Sequence, residues 1–446
     1  MKRAAPWLAA ALGLGLVLAA FWPGYLSWDS AWQWWQARHG ELDPLHPPIM
    51  VRLWQVVRTL LPDPGGMLLL QCLVWWTAMA GFAHALGGGA WRRVLTVWGL
   101  GAWPALLALL PHLWKDIWML ALFAGAVACL AAELATPRRS LRLAALALLA
   151  AGCAFRLNAL PAALPLLAWL AWREWPGRGL RVAVATVLLA LCVQALATLA
   201  SLAPGARSTP IWPALALWDI AAVSVREDAL LFPPDWVEPG LTVQDLRRDF
   251  SPFVNVPSFE SGQLRLNFYY DYTPAQYNEL RRVWLSLPLD HPRAYFGHRA
   301  EVSAYLLGLR QAAQPDFQVL QPAVVPLRDN PAVAAPSGTL HRLLQPRLDA
   351  LVDTPVFAGW IYLALSVAVL LVAAVRRRGP GDGLAAAVAG SGLLLALPLL
   401  LLAPSAEFRY LAWTVAASLM AALLCLAPPV GGTSVPIARL PGKHRD

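Results

Sequence analysis

Charged residues are scarce in this sequence. Asp, Glu, Lys and Arg make up 14% of its 446 residues, whereas hydrophobic residues make up 58%. Soluble domains average about 25% charged residues, so this composition excludes an ordinary soluble protein. With a mean hydropathy of +0.52, the chain is predicted to be an integral membrane protein.

Several common signatures of function are also missing. The five cysteines lie in apolar stretches without metal-ligand spacing, which argues against a zinc motif and an extracellular disulfide framework. Neither a glycine-rich phosphate loop nor a Gly-x-Ser-x-Gly nucleophile turn occurs. The net charge of +9 comes from short basic clusters between apolar runs. Such clusters are typical of orientation signals, so no nucleic-acid partner is expected.

Long apolar runs dominate what is present. A spanning helix takes about 20 apolar residues, and ten runs approach that length, at approximately 6–24, 66–86, 94–111, 117–135, 143–156, 159–172, 182–203, 356–375, 384–403 and 408–427. Basic residues such as Arg92 and Arg93 mark alternate connections as cytoplasmic. For the two short runs, 143–156 and 159–172, a hairpin that turns within the protein stays an alternative.

The runs divide the chain into three parts. We expect an N-terminal transmembrane module over 1–203 with a first outer loop at 25–65, an extracytoplasmic soluble domain over 204–355, and C-terminal helices with a cytoplasmic tail over 356–446. A structureless loop of the length of 204–355 is improbable. The predicted fold class is an all-α polytopic membrane protein of about 10 transmembrane helices with a small mixed extracytoplasmic domain.

The predicted outer turns carry the polar residues of interest. These turns are expected to converge on one mouth, and their candidate site residues are Asp29, His46, Lys115, Asp116, Arg156, Asn158, Glu407 and Arg409. Around Asp29 and His46, residues 29–39 and 49–61 have helical periodicity, with Gly40 as a helix stop. Both helices suit the membrane interface, and the tryptophans of the first suit an interfacial belt, with sugar stacking as the secondary interpretation.

The residue types allow several roles. Asp29 is either a general base for an incoming hydroxyl or a helix cap. Lys115 and Asp116 are either interfacial anchors or a phosphate-binding pair. Arg156 lies between short apolar runs, where a charge tends to be functional. With Arg409, it could clamp a phosphate or pyrophosphate.

Glu407 and His46 could also have only local structural roles. Glu407 and Arg409 lie two residues apart and could form only a local ion pair. His46 could hydrogen-bond an acceptor sugar or Asp29, or pack as an ordinary loop histidine.

The predicted outer turns contain, in this order, the motifs PGYLSWDS, HPP, WKD, FRLN and FRYL. In their order and in their common side of the membrane, these motifs resemble an uncharacterised bacterial branch of the C-type (GT-C fold) membrane glycosyltransferases. The resemblance implies transfer of a sugar from a polyprenyl-phosphate donor, with inversion, to a glycan, lipid or protein acceptor. Asp29 then matches the general base and Asp116 the second outer acid. Lys115, Arg156 and Arg409 would hold the donor phosphate.

The resemblance has one departure. Relatives often carry two adjacent acids in the first outer loop, whereas Asp29 is followed by Ser30. A divalent metal cofactor therefore stays an open alternative to a metal-free site. The resemblance also implies a bacterial inner membrane location, with the site facing the periplasm or cell exterior.

Two other classes of function compete with this one. A transporter or lipid flippase would require polar breaks near the middle of several helices, whereas the charges here gather at one end. A scaffold would use 204–355 for binding and would tolerate alanine at Asp29, Arg156 or Arg409.

Overall fold

A computed structural model describes residues 3–42, 45–61, 63–156, 158–202, 210–265, 272–311, 319–376 and 379–427. The described residues form helices joined by turns and irregular chain, with isolated β-bridges and no strand.

The first ten helices lie within residues 1–203. They are α1 Ala5–Phe21, α2 Trp28–His39, α3 Pro48–Val57, α4 Gly65–Leu86, α5 Ala90–Gly101, α6 Pro104–Leu109, α7 Lys115–Ala135, α8 Arg139–Phe155, α9 Leu160–Glu174 and α10 Gly179–Ala200. The remaining α-helices are α11 Trp212–Glu227, α12 Val243–Asp249, α13 Val256–Glu260, α14 Pro274–Asp290, α15 Pro292–Leu306, α16 Thr339–Asp349, α17 Gly359–Arg376, α18 Pro380–Leu402 and α19 Ala412–Leu426. Short 3-10 turns occupy Pro234–Trp236, Pro355–Phe357 and Phe408–Leu411.

Six helical segments among the described residues are long and apolar enough to cross a membrane. They are Gly65–Leu86, Lys115–Ala135, Gly179–Ala200, Gly359–Arg376, Pro380–Leu402 and Phe408–Leu426. The chain is therefore an α-helical, multi-pass membrane protein, as predicted. The shorter α1, α8 and α9 occupy the other predicted runs, apart from 94–111.

The predicted run 94–111 is not one helix. It divides into α5, which ends at Gly101, and α6, which begins at Pro104. Proline lacks an amide hydrogen and disfavours helical backbone in the residue before it, here Trp103 with φ −54° and ψ 126°. The run is therefore divided at Trp103 into two helices.

Helix α7 lies at the centre of the bundle. It packs against α4, α8, α18 and α19, and 78% of its apolar window is buried. By contrast, α10 and α17 are only 17% and 28% buried. Because both are apolar around their whole circumference, their exposed leucines and valines suit contact with lipid.

The Trp-rich helix α2 is enclosed by protein. Gly40 ends it in the left-handed conformation, with φ +72°, as predicted. Every residue from Ser30 to Ala37 is buried, however, whereas a helix lying in the interface would leave one face to solvent or lipid. The interfacial placement predicted for α2 is therefore wrong, because a later part of the chain covers its outer side.

That covering chain comes from the long segment 204–355, whose described part has two portions. Helices α11, α12, α14 and α15 share a hydrophobic cluster of their own. Residues 319–357 instead join the main cluster, through Leu320, Leu348 and Phe357. The two helices predicted between Thr273 and Leu309 are α14 and α15. The described part of this segment is helical and irregular, so it does not show the mixed composition predicted for the domain.

A buried charge cluster fastens the first portion to the bundle. Asp219 of α11 pairs with Arg299 of α15, lies 3.3 Å from His298, and accepts a hydrogen bond from Trp284 Nε1 at 2.7 Å. Arg299 also donates to the carbonyl of Ala403, just beyond α18, at 2.9 Å. Asp219 and His298 are fully buried, so each polar atom depends on its partner.

We therefore expect Arg299→Met to lower the free energy of unfolding by about 3–5 kcal/mol, because it leaves the Asp219 carboxylate buried without its cation. Unfolding by a denaturing detergent measures the change. Arg310→Met is the matched control: its ion pair with Glu301 is exposed, so a loss below about 1 kcal/mol is expected. Equal losses in both variants would contradict the proposed role of burial.

Candidate functional site

The eight sequence-predicted residues lie together at one end of the bundle. They come from the start of α2, the turn before α3, the start of α7, the turn between α8 and α9, and the turn before α19. Direct ion pairs join Asp29 to Arg409, Arg409 to Glu407, and Asp116 to Arg156. The predicted convergence of the outer turns is thus seen in the structure.

Backbone contacts fix the start of α2 beside the start of α7. Tyr25 N donates to the carbonyl of Pro111 at 2.9 Å, and Leu113 N donates back to Tyr25 O at 3.2 Å. Gly24 makes this approach with φ +102°, and a Cβ there would lie 3.0 Å from Pro111 O. Ser30 Oγ adds a bond to Leu113 O at 2.7 Å. The PGYLSWDS motif therefore positions Asp29 near the WKD turn.

The Asp29 carboxylate faces cations rather than the amides of its own helix. Arg409 Nη1 donates to Oδ2 at 3.2 Å, and His46 Nε2 lies 3.9 Å from Oδ1. No side-chain capping bond begins α2, so the capping role considered for Asp29 is not observed. Burial alone would raise the pKa of Asp29, but the positive charges of Arg409 and Lys115 outweigh it and hold that pKa well below its usual range.

His46 is a buried, neutral imidazole. His46 is 4% exposed, and neither of its ring nitrogens has a hydrogen-bond partner among the described residues. Burial, with the nearby charges of Lys115 and Arg409, lowers the pKa of His46 to about 3 despite the Asp29 carboxylate. At neutral pH His46 therefore offers one donor and one acceptor, without a charge.

Arg409 and Glu407 form the local ion pair considered from the sequence, and they also reach beyond it. Arg409 Nε contacts Glu407 Oε2 at 2.5 Å. Ser405 Oγ and Tyr410 OH donate to Glu407 Oε1 at 2.5 and 3.1 Å. The Arg409 guanidinium lies 4.7 Å from the ring centre of Trp114. Arg409 is thereby held between the last helix and the first outer loop.

Asp116 and Arg156 make a second, deeper pair. Asp116 is fully buried at the start of α7 and pairs with Arg156. Arg156 Nε donates to Asn158 Oδ1 at 2.8 Å. Asp116 is buried, so an acceptor cannot reach it easily. Its position is better suited to holding Arg156 in place. The Arg156 guanidinium lies over the ring of Tyr410, 5.1 Å from its centre.

Charges within the cluster balance. Three carboxylates face three cations, and both arginines already contact a carboxylate. Arg156 and Arg409 flank Tyr410, 5.1 and 5.4 Å from its ring centre, so they are close but do not form an open clamp. Lys115 makes no hydrogen bond or ion pair with any described residue, and it is the cation left for an anionic ligand.

Some contacts of this site were missed from the sequence. Trp114 and Tyr410 lie inside the WKD and FRYL motifs, and Ser405 lies three residues before FRYL, so their neighbours in the sequence gave the signal. Gln321 donates to Glu407 Oε2 at 3.4 Å. Nothing in the sequence around Gln321 indicated this contact, because only the fold brings residues 319–324 back to the charge cluster.

The acids of this cluster do not fit a metal site. Asp29, Asp116 and Glu407 each contact a guanidinium group. Among the described residues, no group of three or more His, Cys, Asp or Glu side chains is arranged to hold a metal ion. A cation would have to displace arginines that already balance these carboxylates.

Comparison with family models, with curated proteins and with solved structures found no match to this chain. The resemblance to C-type glycosyltransferases therefore stays a prediction that depends on the motifs and their arrangement.

The burial of His46 predicts a pH-dependent stability. An unfolded histidine binds its proton near pH 6.5, whereas folded His46 stays neutral until about pH 3. The unfolded state thus gains protons first as the pH falls below 6.5, and the folded state loses stability by up to about 1.4 kcal/mol per pH unit for this imidazole. Detergent unfolding measured at several pH values tests the slope.

His46→Asn should remove that part of the slope. The control is His84→Asn, which makes the same substitution at an exposed histidine of α4 and reports any effect that does not come from burial. An unchanged slope in His46→Asn would show that His46 does not resist protonation in the folded state.

Proposed function

We propose that this protein is an inverting glycosyltransferase that moves a sugar from a polyprenyl-phosphate donor to an acceptor outside the cytoplasm. In this proposal about ten helices span a bacterial inner membrane, and the cluster around Asp29 and Arg409 faces the periplasm or cell exterior. The proposed role is the modification of a cell-envelope glycan or glycolipid.

The accessibility of Asp29 carries the proposal. Its side chain is 27% exposed, against 10% for Glu407 and 1% for Asp116. It is therefore the acid of this cluster that an incoming hydroxyl reaches most easily. Arg409 holds the carboxylate by a hydrogen bond to Oδ2, which restrains its direction before a substrate arrives.

A lowered pKa is compatible with a base of this kind. The acceptor hydroxyl becomes strongly acidic only as its oxygen bonds to the anomeric carbon. In this step the oxygen–carbon bond forms as the carbon–phosphate oxygen bond breaks. The proton passes to Asp29, and the electron pair leaves with the polyprenyl phosphate. A carboxylate that is ionised at every physiological pH is always ready to accept that proton.

Lys115 is the proposed contact of the departing phosphate. It is the cation of the cluster that forms no direct ion pair with a described carboxylate, although its charge acts on Asp29 from a greater distance. A lipid donor would bring its phosphate to the membrane surface, where α7 begins with Lys115. Arg156 and Arg409, held near each other by Tyr410, add positive potential without moving.

The polar residues found within the bundle favour an enzyme over a transporter. Ser391 Oγ donates to Ala162 O at 2.5 Å and accepts from Trp413 Nε1 at 2.8 Å. Thr414 Oγ1 donates to Gly392 O at 2.9 Å. These groups join neighbouring helices, whereas a substrate path needs polar groups that face a cavity.

The first test is Asp29→Asn in transfer from radiolabelled polyprenyl-phosphate sugars to cell-envelope acceptors, with purified protein in lipid. We expect a loss of about 10²–10⁴-fold in turnover, because the amide cannot accept the proton. Glu41→Gln is the control, since Glu41 is an exposed acid of the same loop. Normal turnover by Asp29→Asn would exclude the proposed base.

Lys115→Met tests the phosphate contact separately. Loss of one charge-assisted hydrogen bond should raise the donor concentration for half-maximal rate about 10- to 100-fold. Lys115→Arg keeps the charge and should recover most of the loss. A Lys115→Met enzyme with an unchanged donor requirement would remove Lys115 from the donor site.

A further inference from the structure

Helix α2 carries a continuous stack of aromatic rings. Trp28 and Trp32 are parallel, with ring centres 5.6 Å apart and an angle of 5°. Trp32 and Trp35 follow at 5.2 Å, and Trp35 and His39 at 4.5 Å. The stack runs the length of the helix and begins at the residue before Asp29.

Arg328 and Asp329, from the long segment 204–355, cover most of this stack. The Arg328 guanidinium lies 4.2 Å from the ring centres of both Trp32 and Trp35, and Asp329 Oδ1 accepts a hydrogen bond from Trp35 Nε1 at 2.6 Å. Trp32 and Trp35 are accordingly 4% and 8% exposed, whereas Trp28 is 46% exposed. Trp28 is therefore the tryptophan of the stack that stays open to a ligand.

Polar groups without partners lie beside that open indole. The ring centre of His46 is 6.4 Å from that of Trp28, and His46 Nε2 is 3.9 Å from Asp29 Oδ1. His46 is buried, and both its ring nitrogens lack a hydrogen bond to the described residues. A buried polar atom without a partner is costly, so a ligand that supplied hydroxyl groups here would be favoured.

We propose that Trp28 binds the acceptor, and that the acceptor is a sugar ring of a glycan or glycolipid. The inference rests on the proposed function and names the substrate class of the same site. A pyranose has an apolar face of C–H groups that packs on an indole, and a rim of hydroxyl groups. Stacked on Trp28, the ring directs hydroxyl groups toward His46 and Asp29.

The arrangement favours a sugar over a lipid tail. An acyl chain against Trp28 would cover the indole but leave the His46 nitrogens without hydrogen bonds. A sugar satisfies both parts of the surface, because the ring packs against Trp28 while its hydroxyl groups donate to and accept from the neutral imidazole. The orientation also brings the attacking hydroxyl to the proposed base.

The test follows the Trp28 indole directly. Full-length protein is labelled with 5-fluorotryptophan in lipid nanodiscs, and the Trp28 fluorine resonance is identified by its absence in Trp28→Phe. We expect it to shift on addition of maltose, cellobiose or N,N′-diacetylchitobiose, and to broaden with a water-soluble gadolinium chelate. Trp91, an exposed residue of α5, is identified in the same way and should not shift with sugar.

Two results would overturn the acceptor site. One is a Trp28 resonance broadened by lipid carrying a nitroxide on its acyl chain, which makes Trp28 a membrane anchor. The other is a resonance that reaches water but does not respond to any of the three sugars.

Transfer assays separate this inference from the proposed function. If Asp29→Asn abolishes transfer, Trp28→Ala should raise the acceptor concentration for half-maximal rate about tenfold, as loss of one stacked ring predicts, and leave the donor requirement unchanged. An unchanged acceptor requirement would disprove the acceptor site at Trp28 but leave the proposed glycosyltransferase activity intact. Sugar binding at Trp28 with no transfer by the wild type would end the proposed function alone.

Discussion

The site depends on one guanidinium group that is shared by two carboxylates. Arg409 contacts Glu407 in its own turn and Asp29 in the first outer loop, 380 residues away in the chain. Arg409 and Glu407 are both buried, so each is costly to leave without its partner. The start of α2 and the turn before α19 are therefore fixed relative to each other before any substrate binds.

This sharing also explains how a concentrated set of charges is tolerated at the end of an apolar bundle. Each carboxylate is matched by a cation, and the rings of Trp114 and Tyr410 lie against the Arg409 guanidinium. The cluster is preorganised in the sense that its dipoles and charges need little movement when new charge develops. Lys115 forms no ion pair with a described carboxylate, so its charge would offset part of the repulsion between a bound anion and the Asp29 carboxylate.

The sequence allowed the local part of this arrangement to be predicted. Helical periodicity and Gly40 located α2, and the alternation of basic connections assigned the charged turns to one side. The break at Trp103 was missed because the apolar composition continues through Pro104. The contacts of Gln321 with Glu407 and of Arg328 with Trp32 were missed for another reason: they join positions 86 and 296 residues apart in the chain, and periodicity carries no information about such pairs.

Residues 319–330, the part of the long segment that returns to the site, differ from the helices of the site in how well they tolerate substitution. Leu26 N donates to Ala323 O at 2.9 Å, and Val325 N donates to Leu26 O at 2.8 Å, so this irregular chain lies directly against the first outer loop. The proposed base and phosphate contact lie on helices α2 and α7, which the bundle holds rigidly. Irregular chain tolerates substitution better than a packed helix. Substitutions at Arg328 or Asp329, which contact Trp32 and Trp35, would therefore change the surface beside Trp28, the proposed acceptor contact. Gln321 of the same segment instead donates to Glu407 of the charge cluster, so a substitution there would act on the charges as well.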